Sequence, residues 1–95
     1  MIDSDIIRLA ASRSVSGNVL KLCEELGELA QAAAKYWDDP GNPKRRQDVV
    51  EEMADVLICI DLICHQWDIS NAELTDMRHH KMLRNMARLE ARING

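Results

Sequence analysis

Apolar residues along the chain recur three and four positions apart, which is the spacing of one face of an α-helix. The clearest seam runs from Val19 to Trp37. There Val19, Leu22, Leu26, Leu29, Ala33 and Tyr36 mark an amphipathic helix of bundle type. Before it, residues 3–14 predict a short first helix with Ile6, Ile7, Leu9 and Ala10 on its apolar side. Ser14 to Asn18 reads as a break, in which Ser16 or Asn18 caps the helix that follows. Asp38-Asp39-Pro40-Gly41-Asn42-Pro43 is dense in turn formers and predicts a loop. Asn42 as N-cap and Pro43 as first helical residue then open a third helix that runs to about Trp67. Asp68-Ile69 is a short connection. Ser70 followed by Glu73 has capping-box spacing and opens a fourth helix that extends to about Ile93. The pattern therefore predicts an all-α chain, bundle-like with four helices, in one domain over residues 1–95.

The third helix differs from the others in its pattern. Val56-Leu57-Ile58-Cys59-Ile60 and Leu62-Ile63-Cys64 make its second half apolar almost all round, which predicts burial. A chain of 95 residues covers such a helix poorly by itself, so a homodimer or homotetramer is expected.

Composition narrows the picture further. The chain is rich in Ala, Leu, Ile, Met, Glu and Arg, with 4 Gly, 2 Pro and no Phe, a helical balance. Twelve basic residues stand against 16 acidic ones, a net charge of −4 that argues against nucleic acid as a partner. No apolar run approaches the length that spans a membrane. Met1-Ile2-Asp3-Ser4-Asp5 lacks the basic segment and apolar run of a signal peptide, so a cytoplasmic location is expected. Cys23, Cys59 and Cys64 form no CxxC pair and lie among apolar residues, as expected of reduced, buried thiols rather than of a thiolate metal site.

The candidate chemistry is acidic. Glu24-Glu25-Leu26-Gly27-Glu28 and Glu51-Glu52-Met53-Ala54-Asp55 each place carboxylates at i and i+3, on one side of a helix. Glu24 and Glu28 also share a polar face with Lys21, Gln31 and Lys35, as on any amphipathic surface helix. The second motif is more informative, because Glu52 and Asp55 lie on the side of the third helix that continues into Ile58, Cys59 and Leu62. Antiparallel packing of the two helices would set the pair Glu25 and Glu28 opposite the pair Glu52 and Asp55. Four carboxylates so close repel one another, and a divalent cation removes the conflict. An all-oxygen donor set favours a hard ion such as Mg²⁺.

On the fourth helix Arg78, Lys81, Arg84, Arg88 and Arg92 run along one side with Asn85 among them, beside an apolar stripe of Met82, Met86, Leu89 and Ile93. A row of cations near a carboxylate–metal centre suits a triphosphate. Asp76-x-x-His79 has the spacing of a di-iron helix motif, but Glu-x-x-His is absent. Trp37 and Trp67 lie near helix ends, where either can stack on a nucleobase or serve a core or an interface.

Taken together, Glu24-Glu25-x-x-Glu28, a gap of 23 residues and Glu52-x-x-Asp55 resemble the EExxE…ExxD signature of the MazG-like, all-α nucleoside triphosphate pyrophosphohydrolases. Lys81-x-x-x-Asn85-x-x-Arg88 fits the same pattern, and the resemblance covers roughly residues 16–90. It implies a four-helix fold that works as a dimer or a dimer of dimers. It implies that Glu25, Glu28, Glu52 and Asp55 bind Mg²⁺, or Mn²⁺ in its place. The implied reaction cleaves a nucleoside triphosphate between its α and β phosphates, with Lys81, Asn85 and Arg88 holding the phosphates. Glu24, one turn from Glu28, is the candidate general base. The short first helix has no aromatic residue, so base recognition falls to Trp37, Trp67 or a neighbouring subunit. Phosphoribosyl-ATP pyrophosphatase shares the acidic helices and stands second. A non-catalytic helical binding module is the alternative of another class.

Overall fold

The computed structural model describes residues 3–95, which form four α-helices and no strand. They are α1 (Ser4–Ala11), α2 (Val15–Asp38), α3 (Pro43–Gln66) and α4 (Asn71–Asn94). Local chemistry sets most of the boundaries. Asp3 caps α1, its side chain accepting from the Asp5 N–H at 2.9 Å. Asn42 Oδ1 accepts from the N–H groups of Lys44 and Arg45 at 3.0 and 3.4 Å, and Pro43 follows as the first residue of α3. At its far end α3 closes in a Schellman turn. Ile69 N–H donates to Cys64 O at 2.9 Å and Asp68 N–H to His65 O at 3.4 Å. Asp68 takes the left-handed conformation (φ 56°) that glycine usually supplies in this turn. Ser70 Oγ then accepts from Glu73 N–H at 3.0 Å and starts α4.

The break before α2 is shorter than its sequence suggests. Ser14, not Ser16 or Asn18, is the N-cap, its Oγ accepting from Gly17 N–H at 3.0 Å, so α2 begins at Val15. Asn18 is needed elsewhere. It is 2% exposed, and its Nδ2 donates to Ala10 O at 3.2 Å and to Gln66 Oε1 at 2.9 Å. One amide thus ties the end of α1 and the end of α3 to the start of α2.

α2 and α3 pack antiparallel, and α1 lies on α3. The core is thin: Ala10, Val56, Cys59, Leu62 and Ile63 are its buried apolar residues, four of them on α3. Two helices side by side cover only one face of each. Leu26 and Ala33, expected in the α2 seam, are therefore exposed, and α3 is not enclosed all round, with Leu57 63% and Ile58 42% exposed. Of the three thiols expected to be buried, Cys59 is; Cys64 is half-buried and Cys23 exposed. α4 does not complete a bundle with the other three helices within the chain: all of its residues are exposed. A radius of gyration of 16.9 Å, against about 12 Å for a compact chain of this length, reflects that outlying helix. No helix among the described residues is long and apolar enough to cross a membrane.

Asn18→Ala is expected to lower the unfolding free energy by about 1–3 kcal/mol, because it leaves Oε1 of half-buried Gln66 without its donor and frees the end of α1. Urea unfolding measures this. An unchanged midpoint would show that the amide does not fasten the three helices.

Candidate metal centre

Halfway along the α2–α3 interface the two acidic motifs meet. On α2, Lys21 lies one turn before Glu25, and its Nζ sits 2.9 Å from Glu25 Oε1. Glu25 is 4% exposed, and its other oxygen, Oε2, is buried with no hydrogen-bond partner among the described residues. On α3, Glu52 is half-buried and also has its Oε2 buried and unpartnered. Asp55, one turn further, is exposed. One carboxylate oxygen from each of Glu25, Glu52 and Asp55 lies within 4.8 Å of the other two. Oxygens that share a cation at 2.0–2.6 Å are at most about 5 Å apart, so the three fit one divalent ion. Orphaned buried carboxylate oxygens are costly, and a cation held by all three groups would satisfy them.

The electrostatics follow from this crowding. Burial pushes the Glu52 carboxyl above its usual range, and the negative charges of Glu28, Glu25 and Asp55 push it further. Glu28 is also raised, first by the charge on Glu25 and then by burial. Glu25 moves the opposite way, because its hydrogen bond to Lys21 outweighs its burial. Lys21 is raised in turn, first by that bond and then by the charge on Glu24. Behind the acids, burial and the Glu25 charge raise the Cys59 thiol, which makes it a poor thiolate ligand.

Glu25, Glu52 and Asp55 thus come together as their spacing suggests. Glu28 lies outside the three-oxygen group, exposed, but close enough for its charge to act on Glu52. Glu24 is exposed and 3.8 Å from Lys21 Nζ. In the sequence Lys21 shares a polar face with Glu24 and Glu28, as a surface lysine does. Its i, i+4 spacing to Glu25 was the available signal for a role in the site.

Lys81, Asn85 and Arg88 are not brought to the carboxylates. They are exposed on α4, and no ion pair joins α4 to the acidic motifs among the described residues. Trp37 and Trp67 are exposed, the first 85% and the second 55%. They end antiparallel helices of 24 residues each, about 36 Å long, and so stand at opposite ends of the α2–α3 pair. The two cannot stack on the same base within one chain.

Comparison with known protein families, with curated proteins and with solved structures found no match to this chain.

The raised carboxyls bind protons more tightly in the folded state than in the unfolded one. In metal-free protein, Glu28 and Glu52 therefore add stability at low pH. They lose it as pH rises from the ordinary glutamate range through their raised values. Glu25, held low, adds stability above the ordinary range and loses it as pH falls through its folded value. Saturating Mg²⁺ is expected to raise Tm more at about pH 8 than at about pH 5, because protons and the ion compete for the same oxygens. A Tm indifferent to Mg²⁺ at both pH values would contradict the assignment of a metal centre.

Proposed function

We propose that this chain is a Mg²⁺-dependent nucleoside triphosphate pyrophosphohydrolase of the MazG-like kind, working as a homo-oligomer with a four-helix arrangement built across subunits. The observation that carries the reading is the unpartnered oxygen of buried Glu25 beside Glu52 and Asp55, at the meeting point of the EExxE and ExxD motifs. Glu25, Glu52 and Asp55 would hold the ion, with Glu28 adding negative charge at its edge. Such an ion supplies polarisation of the phosphoryl oxygens, a lowered pKa for bound water, and compensation of charge on departing pyrophosphate.

The chain's own residues divide the remaining work. Lys21 occupies Glu25 Oε1 and so leaves Oε2 free to face the centre. Glu24, exposed and 3.8 Å from Lys21 Nζ, would take the proton from attacking water. Lys81, Asn85 and Arg88 are one face of a helix with the donors a triphosphate needs, two of them cationic. Trp37 or Trp67, exposed and planar, is available to stack on the base.

Pyrophosphate release is expected from at least one member of a panel of ribo- and deoxyribonucleoside triphosphates plus phosphoribosyl-ATP. It should require Mg²⁺ and fall to background in Glu52→Gln. Glu24→Gln should slow turnover without weakening metal binding; full turnover in that variant would remove Glu24 as the base. Silence across the panel, with Mg²⁺ bound, would move the function to nucleotide binding without cleavage.

A further inference from the structure

Among the described residues, Lys21 is the one cation paired with the acidic motifs. Its Nζ lies 2.9 Å from Glu25 Oε1 and 3.8 Å from Glu24 Oε2. The remaining ion pair joins Lys44 to Asp48, in the first turns of α3. The two oxygens of a carboxylate are about 2.2 Å apart. The 2.9 Å contact therefore keeps Nζ within about 5 Å of Glu25 Oε2, the oxygen with no partner.

This pair differs from an ordinary i, i+4 pair on a helix surface. Lys21 precedes Glu25, which is the less favourable order along a helix. The two side chains also stand in different surroundings: that of Glu25 is 6% exposed and that of Lys21 is 36% exposed. A buried acid thus holds an ammonium that solvent reaches. An ammonium has three N–H donors, and even with one directed at Glu25 two are left. Glu24, at 3.8 Å, is beyond hydrogen-bond length and claims neither.

Charge completes the argument. Glu25, Glu52 and Asp55 with Lys21 carry a net −2, which one divalent ion cancels. Once an ion takes the charge of Glu25, the ammonium has surplus positive charge and free donors beside the centre. A compact point charge of this kind suits a phosphate oxygen. Lys81 and Arg88, the cations of α4, pair with none of these acids within the chain.

We propose that Lys21 is a phosphate-binding residue, whose ammonium holds an oxygen of a triphosphate at the ion-loaded carboxylate centre. It works from the chain that carries the carboxylates. The proposal rests on the pyrophosphohydrolase reading for its ligand, but it is tested by binding, without turnover. The competing role is positioning, in which Lys21 only aims Glu25. The two roles move ion affinity in opposite directions. Removing a cation that faces the bound ion removes a repulsion, whereas removing a support of Glu25 loosens a ligand.

Lys21→Gln discards the charge and keeps an N–H for Glu25. Mn²⁺ binding is followed by electron paramagnetic resonance, inorganic triphosphate binding by calorimetry in excess Mg²⁺, and helicity by circular dichroism. The variant should bind triphosphate about tenfold more weakly or worse, the loss of one charged hydrogen bond. It should bind Mn²⁺ as tightly as the wild type or more tightly. Lys21→Arg, which keeps the charge, should recover most of the lost triphosphate affinity. Weaker Mn²⁺ binding in Lys21→Gln, or an unchanged affinity for triphosphate, would overturn the proposal. A second measurement needs no variant. With Mg²⁺ present, triphosphate should protect Lys21 of the wild type from an amine-acylating reagent, as read by peptide mass; equal labelling with and without triphosphate would also overturn it. A wild type that binds Mn²⁺ but no triphosphate would reject the pyrophosphohydrolase reading together with this role. Triphosphate binding that ignores Lys21 would reject this role alone.

Discussion

Repulsion among carboxylates at the α2–α3 interface is the constraint on which the rest of the molecule depends. Glu25 lies almost fully buried between α2 and α3, with Glu52 and Asp55 across from it and Glu28 at its edge. Lys21 neutralises one oxygen of Glu25, and the other has no hydrogen-bond partner among the described residues. A core this thin has few apolar contacts with which to offset that repulsion. Apolar side chains of similar volume would serve stability better at these positions.

The fold is arranged to hold those groups in place. Pro43 and its Asn42 cap start α3 and the Schellman turn at Asp68 ends it. The Asn18 amide fixes α3 against α1 and α2 at the end away from the loop. The acidic motifs lie between these fastenings, where neither helix frays. α4 has no such anchoring beyond its Ser70 cap, and its two stripes, one apolar and one basic, face outward.

Much of this was legible in the sequence, and the parts that were not share a cause. Period and capping residues placed α3 and α4 to within a residue, because Asn42-Pro43 and Ser70-x-x-Glu73 act locally. The i, i+3 acids marked Glu25, Glu52 and Asp55, because helix geometry alone puts them on one face. Long-range partners decided the rest. Asn18 looked like a cap and is a tertiary fastening, since its partners are eight and 48 positions away. Ile58 and Leu57 looked like core, yet two packed helices leave them open. Lys81, Asn85 and Arg88 share one helix face, but helical spacing does not say whether that face meets the carboxylates. Lys21 was hidden by resemblance to an ordinary surface lysine.

The most direct measurement of the central claim is a titration with Mn²⁺ followed by electron paramagnetic resonance, where bound ion loses the sharp signal of free Mn²⁺. The account predicts saturable binding to the wild-type chain, displaced by Mg²⁺ and lost in Glu25→Gln while the helical content is retained. An identical free-ion signal with and without protein, or binding that survives in Glu25→Gln, would contradict it.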